Sequence, residues 1–71
     1  MRRKSGTPVR NVTEVGEGDF ALIGTDWRRI KWNTAEGMAK VPSSFHVYLE
    51  DGGSQNQYGV DAVAKAEDMT H

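Results

Sequence analysis

The chain is built from short β-prone runs, each bounded by turn-forming residues, and no stretch supports a long helix. No window of about a dozen residues keeps apolar side chains at the i, i+3, i+4, i+7 spacing of an amphipathic helix. The clearest strand is Phe45-His46-Val47-Tyr48-Leu49, in which every second residue is apolar. It runs into Glu50-Asp51-Gly52-Gly53-Ser54, where Asp-Gly is a strong hairpin signal, and Gln55-Asn56-Gln57-Tyr58-Gly59 is expected to pair back on it. A second hairpin is expected from Phe20-Ala21-Leu22-Ile23, the tight Gly24-Thr25-Asp26, and Trp27-Arg28-Arg29-Ile30-Lys31-Trp32.

Other segments complete an all-β reading. Asn11 to Val15 is expected as a strand ended by Gly16-Glu17-Gly18-Asp19, and Met38 to Val41 as an extended piece within the Asn33–Ser44 connection. Val60-Asp61-Ala62 is expected as one 3₁₀ turn and Val63 to Ala66 as a closing strand, while helix-forming residues keep a helical turn open at Ala62–Lys65. At 71 residues there is room for one domain with a small core. Five or six short strands with a 3₁₀ turn before the last must cover their edges. That order, with Gly18-Asp19 leading into one hairpin and Tyr58-Gly59-Val60 approaching the last strand, resembles the SH3-like barrel over Val15 to Glu67. The expected organisation is a flexible basic arm (1–10), one barrel domain (11–68) and a disordered tail (69–71).

Strand parity separates an inner and an outer set of side chains. The expected core is Phe20, Leu22, Ile30, Trp32, Phe45, Val47, Leu49, Val60 and Val63, with Arg28 at the rim. Trp27, Arg29, Lys31, His46 and Tyr48 are then expected to face outward. Rings beside cations suit a protein interface, and they equally suit single-stranded nucleic acid, where bases stack and cations hold phosphates. A third reading packs Trp27 against the N-terminal segment or the Asn33–Ser44 loop.

Charge is balanced in sum, with nine Lys/Arg against ten Asp/Glu, so bulk attraction to nucleic acid is absent. It is uneven in place. Arg2, Arg3, Lys4 and Arg10 precede the first acid, Glu14, whereas beyond Pro42 five acids face only Lys65. The basic stretch is either a solvated, frayed end or an arm that contacts phosphates. No cysteine is present, which excludes disulfides and thiolate zinc sites. No apolar stretch reaches the roughly 18 residues of a membrane span, and none follows the basic N-terminus as in a secretory signal, so a cytoplasmic address is expected.

Catalytic signals are sparse. His46 and His71 are the only histidines, and no Ser or Asp stands at a spacing that suggests a triad with His46. Gly16-Glu17-Gly18-Asp19 lacks the lysine of a phosphate-binding loop. No metal and no cofactor is expected.

One local stretch, Gly53-Ser54-Gln55-Asn56-Gln57-Tyr58-Gly59-Val60-Asp61-Ala62, resembles the corresponding hairpin of the type II, plasmid-borne dihydrofolate reductases. That resemblance implies an SH3-like barrel, a homotetramer around a central pore, and NADPH-dependent folate reduction. The pore-lining Gln and Ile of that family are replaced by Asn56 and Gln57, its Tyr is kept at Tyr58, and its folate-attracting Lys has no counterpart in Phe20–Ile23. The sequence therefore reads first as a non-enzymatic binding module with a protein partner, including inhibitory contact. By analogy of size and fold it suits an accessory protein of a phage or mobile element. Nucleic-acid binding by the outer face and the basic arm stands second and folate reduction third, and a homo-oligomer would relieve the small core.

Overall fold

A computed structural model describes residues 1–70, and His71 lies outside the described residues. Seven strands form among them: β1 (Arg2–Arg3), β2 (Phe20–Ile23), β3 (Asp26–Asn33), β4 (His46–Leu49), β5 (Ser54–Asn56), β6 (Ala62–Ala64) and β7 (Met69–Thr70). Five make one antiparallel sheet in the order β5-β4-β3-β2-β6, and β1 pairs with β7 in a second sheet. The fold is all-β, as expected. β5 and β6 end the five-strand order without pairing to each other, so the sheet is not closed into a barrel.

The β2–β3 hairpin turns through Gly24-Thr25, with Ile23 paired to Asp26. Gly24 sits at φ 66°, a left-handed conformation that a side chain would strain, and its N–H donates to Asp61 Oδ2 at 3.0 Å. Gly52 plays the same part between β4 and β5 at φ 96°.

Register assigns each strand residue to a face. Ala21 opposite Val63, Ile30 opposite Leu49, and Asn33 opposite Val47 all face inward. Together with Val15, Ala35 and Phe45 the apolar members form the main core, on which Val12, Ile23 and Val60 pack. The other sheet face has its own small cluster of Phe20, Ala64 and Met69, with Trp27 against it. β7 supplies Met69, so the β1–β7 ladder covers the β2–β6 end of the outer face.

The main departure from strict alternation lies in β3. The β3–β4 register slips between Ile30 and Trp32, a bulge that places one extra residue in β3. Beyond it the faces exchange. Trp32, expected in the core, is 56% exposed, and Asn33 is buried at 1%. Asn33 is tolerated there because its amide is fully used: Nδ2 donates to the Val12 carbonyl at 2.7 Å and the Val15 carbonyl at 2.9 Å, and Oδ1 accepts from Ala35 N–H at 3.0 Å.

Other expectations are corrected locally. Asn11 to Val15 is not a strand, because Asn11 caps a 3₁₀ turn at Val12–Glu14 and Glu14 Oε2 accepts the Asn11 N–H at 2.6 Å, a reciprocal capping box. Met38 to Val41 forms no strand. The 3₁₀ turn falls at Ala66–Asp68 rather than Val60–Ala62, and a hydrogen-bonded turn occupies Gln57–Gly59 instead. The closing strand begins at Ala62, which decides that segment in favour of a strand. Leu22 and Val60, expected in the core, are half-buried. The segments read as arm and tail meet: Arg2 and Arg3 pair with Thr70 and Met69, and Lys4 N–H donates to the Asp68 carbonyl at 2.7 Å.

Candidate functional site

The outer face divides into a covered half and an open half. In the covered half, Trp27 is half-buried against Phe20, Ala64 and Met69, with the Arg3 guanidinium 5.7 Å above its ring. Trp27 thus packs under the N-terminal segment. Arg29, next on that face, lies 4.9 Å over the Phe20 ring, and its Nε is 3.9 Å from Glu50 Oε2. The structure therefore separates Trp27 and Arg29 from the other expected face residues and holds both in contacts within the protein.

The open half carries Trp32, Tyr48 and His46. Trp32 stands opposite Tyr48 across the β3–β4 ladder, and their rings stack at 5.1 Å between centroids and 11° between planes. This is offset-stacked contact of the kind aromatic pairs favour. His46 follows at 6.5 Å from the Tyr48 ring, tilted 33°. Thr34 fixes the start of β4, accepting from the His46 N–H at 2.9 Å while donating to its carbonyl at 3.1 Å. Across β5 the same face presents only Ser54 and Asn56, opposite Tyr48 and His46. These small side chains leave the rings open, and Tyr48 is 38% exposed.

Beside the stacked pair is a depression of about 200 Å³ lined by Lys31, Trp32, Tyr48, Leu49, Gly52 and Gly53. The two glycines line it at the β4–β5 turn, where Asp51 Oδ1 accepts the Gly53 N–H at 3.1 Å. Asp51 also accepts from Arg28 Nε at 2.8 Å, and that bond holds its carboxyl below the usual aspartate range. Arg28 is the rim residue expected from parity. The lining of the depression combines two aromatic rings and Leu49 with two residues that carry no side chain and one cation, Lys31.

Trp32 is the residue that sequence parity missed. The signal lay across the ladder, in the alternation of Phe45, Val47 and Leu49: it sends Tyr48 outward, and a residue directly opposite must share its face. Nothing at Lys31 itself announces the bulge, since such an irregularity needs no glycine.

The stretch that resembles the folate reductases forms β5, the turn after it and the approach to β6. Asn56 Oδ1 accepts the Tyr58 N–H at 3.0 Å, Gln57 Nε2 donates to the Ser43 carbonyl at 2.7 Å, and the Tyr58 ring is exposed.

Of the expected phosphate contacts, Arg10 is committed elsewhere: its Nε lies 2.9 Å from Asp68 Oδ2. That hydrogen bond holds the Asp68 carboxyl below the usual range and binds the Arg10 proton more firmly. Arg2, Arg3 and Lys4 line a separate concavity with Ser5 and Thr70. Among the described residues no three His, Asp or Glu side chains gather as metal ligands, and no helix is long and apolar enough to cross a membrane. Compared with known proteins, the chain matches no family model, no curated protein and no solved structure.

Proposed function

We propose that the chain is a small binding module that acts without catalysis and engages a protein partner through Trp32, Tyr48, His46 and Lys31. The observation that carries this reading is the stacked Trp32–Tyr48 pair, exposed beside a depression with a cation at its edge. Rigid, exposed aromatic side chains beside a small pocket are the usual anchors of protein interfaces. The partner chemistry that fits is an aliphatic or aromatic side chain entering the depression, flanked by a carboxylate that meets Lys31. We further read the five-stranded sheet as an SH3-like barrel left open between β5 and β6. Its strand order and the long, bulged β3 shared by both halves support that reading.

Selection from a displayed peptide library on the intact protein tests the function. Enriched peptides should pair an apolar anchor with an acid. Their affinity should fall on the order of 30-fold on Trp32→Ala or Tyr48→Ala and respond weakly to salt. Absence of enrichment, or equal enrichment on Trp32→Ala, would overturn the reading.

A further inference from the structure

We propose a second site at the β1–β7 end of the molecule, for the phosphodiester backbone of a nucleic acid, built from Arg2, Arg3 and Lys4 with Ser5 and Thr70. These five residues line a concavity of about 450 Å³ that contains no acidic side chain. Of the nine Lys/Arg in the chain, Arg10, Arg28, Arg29 and Lys65 are held in ion pairs. Five cations remain without an ion pair among the described residues, and three of them are contiguous here. Lys31 and Lys40 are the other two.

The cluster is positioned by the fold. β1 pairs with β7, the Lys4 N–H extends the ladder to the Asp68 carbonyl at 2.7 Å, and Arg3 is laid over the Trp27 ring. Two residues apart on an extended chain, Arg2 and Lys4 are spaced about 6.6 Å along it, a distance on the scale of successive phosphates of one strand. Asp68, which directly precedes β7, has its charge matched by Arg10, so Arg10 serves the site by neutralising a competitor. A site of this size with three cations suits more than one phosphate, which favours a strand over a lone phosphoryl group. The absence of an apolar lining residue disfavours a lipid surface.

The test is fluorescence anisotropy of a labelled oligothymidylate, with an unlabelled duplex and inorganic triphosphate as competitors. Neutralising three phosphates gives a slope of log affinity against log salt of about −2 to −3, a loss on the order of 20- to 40-fold between about 50 and 200 mM salt. The double substitution Arg2→Gln/Lys4→Gln, which leaves Arg3 on Trp27, should flatten the slope to about −1 while thermal unfolding confirms an intact fold. Trp32→Ala should leave the slope unchanged, which separates this site from the protein-binding face. No binding at about 50 mM salt, or an unaltered slope in the double variant, would overturn the proposal. Full competition by triphosphate at equal phosphate concentration would overturn the strand as ligand, whereas stronger competition by the duplex or the oligonucleotide itself supports it.

Discussion

Arg10 and Asp68, 58 residues apart in the chain, are joined by a hydrogen-bonded ion pair whose carboxylate side chain is only 9% exposed. The pair ties the segment before the first 3₁₀ turn to the one after β6. Because Arg10 lowers the Asp68 value in the folded protein, the native state binds fewer protons in acid than the unfolded chain does. The stabilisation is therefore present above the unfolded aspartate value of about 3.9 and is lost as pH falls through the lower native value. The exposed Arg28–Asp51 pair acts in the same direction. Urea midpoints should fall on acidification, and Arg10→Gln should lower the neutral midpoint while making the acid limb shallower. An equal pH dependence in both proteins would show that Asp68 is not coupled to Arg10.

Neighbouring residues of β3 should respond in opposite ways to truncation. Trp32→Ala removes one exposed partner of a stacked pair and should cost under about 1.5 kcal/mol. Asn33→Ala leaves one buried and one part-buried carbonyl and one buried N–H without partners and should cost about 2–4 kcal/mol. Chemical denaturation of the two variants checks the order. A Trp32→Ala loss larger than that of Asn33→Ala would contradict the bulge.

Trp27 acts as a wedge between the sheet and the β1–β7 ladder. Trp27→Ala should lower stability by about 2 kcal/mol through lost apolar burial. It also removes the ring beneath Arg3. Amide hydrogen exchange should then accelerate at Lys4, whose N–H bonds the Asp68 carbonyl, and at Met69 and Thr70, while Val47 and Leu49 stay protected, and uniform acceleration would argue against a local role.

The capping box sets the first turn of the chain. Asn11→Ala should cost about 1 kcal/mol, whereas Asn11→Asp should be nearly neutral because its carboxylate can accept the same N–H. Thermal unfolding of both variants distinguishes lost capping from a general effect of substitution.

Sequence pattern was most informative where strands alternate without interruption. Phe45 to Leu49 disclosed the inward set and the outward His46 and Tyr48, and the two glycine turns disclosed both hairpins. The outer face as a whole was harder to read because alternation predicts a face only while the register holds. One extra residue near Lys31 moved Trp32 outward and Asn33 inward, and bulges carry no residue signature of that kind. The capping box was visible at Asn11 and Glu14, yet β-branched Val12 and Thr13 between them favoured a strand reading. β1 and β7 left no trace at all, since two-residue strands are too short to show a period and pair across nearly the whole chain.

That last pairing has a consequence for how the molecule comes into being. Thr70 Oγ1 donates to the Arg2 carbonyl across 68 positions of sequence. Contacts so distant are the slowest to close, and during synthesis they must wait until Met69 and Thr70 have emerged. The hairpins of the main sheet can form earlier, from local partners. Under the proposed assignment, the polypeptide acquires its aromatic surface before its phosphate-binding end, and a nascent chain halted short of β7 would possess the first and lack the second.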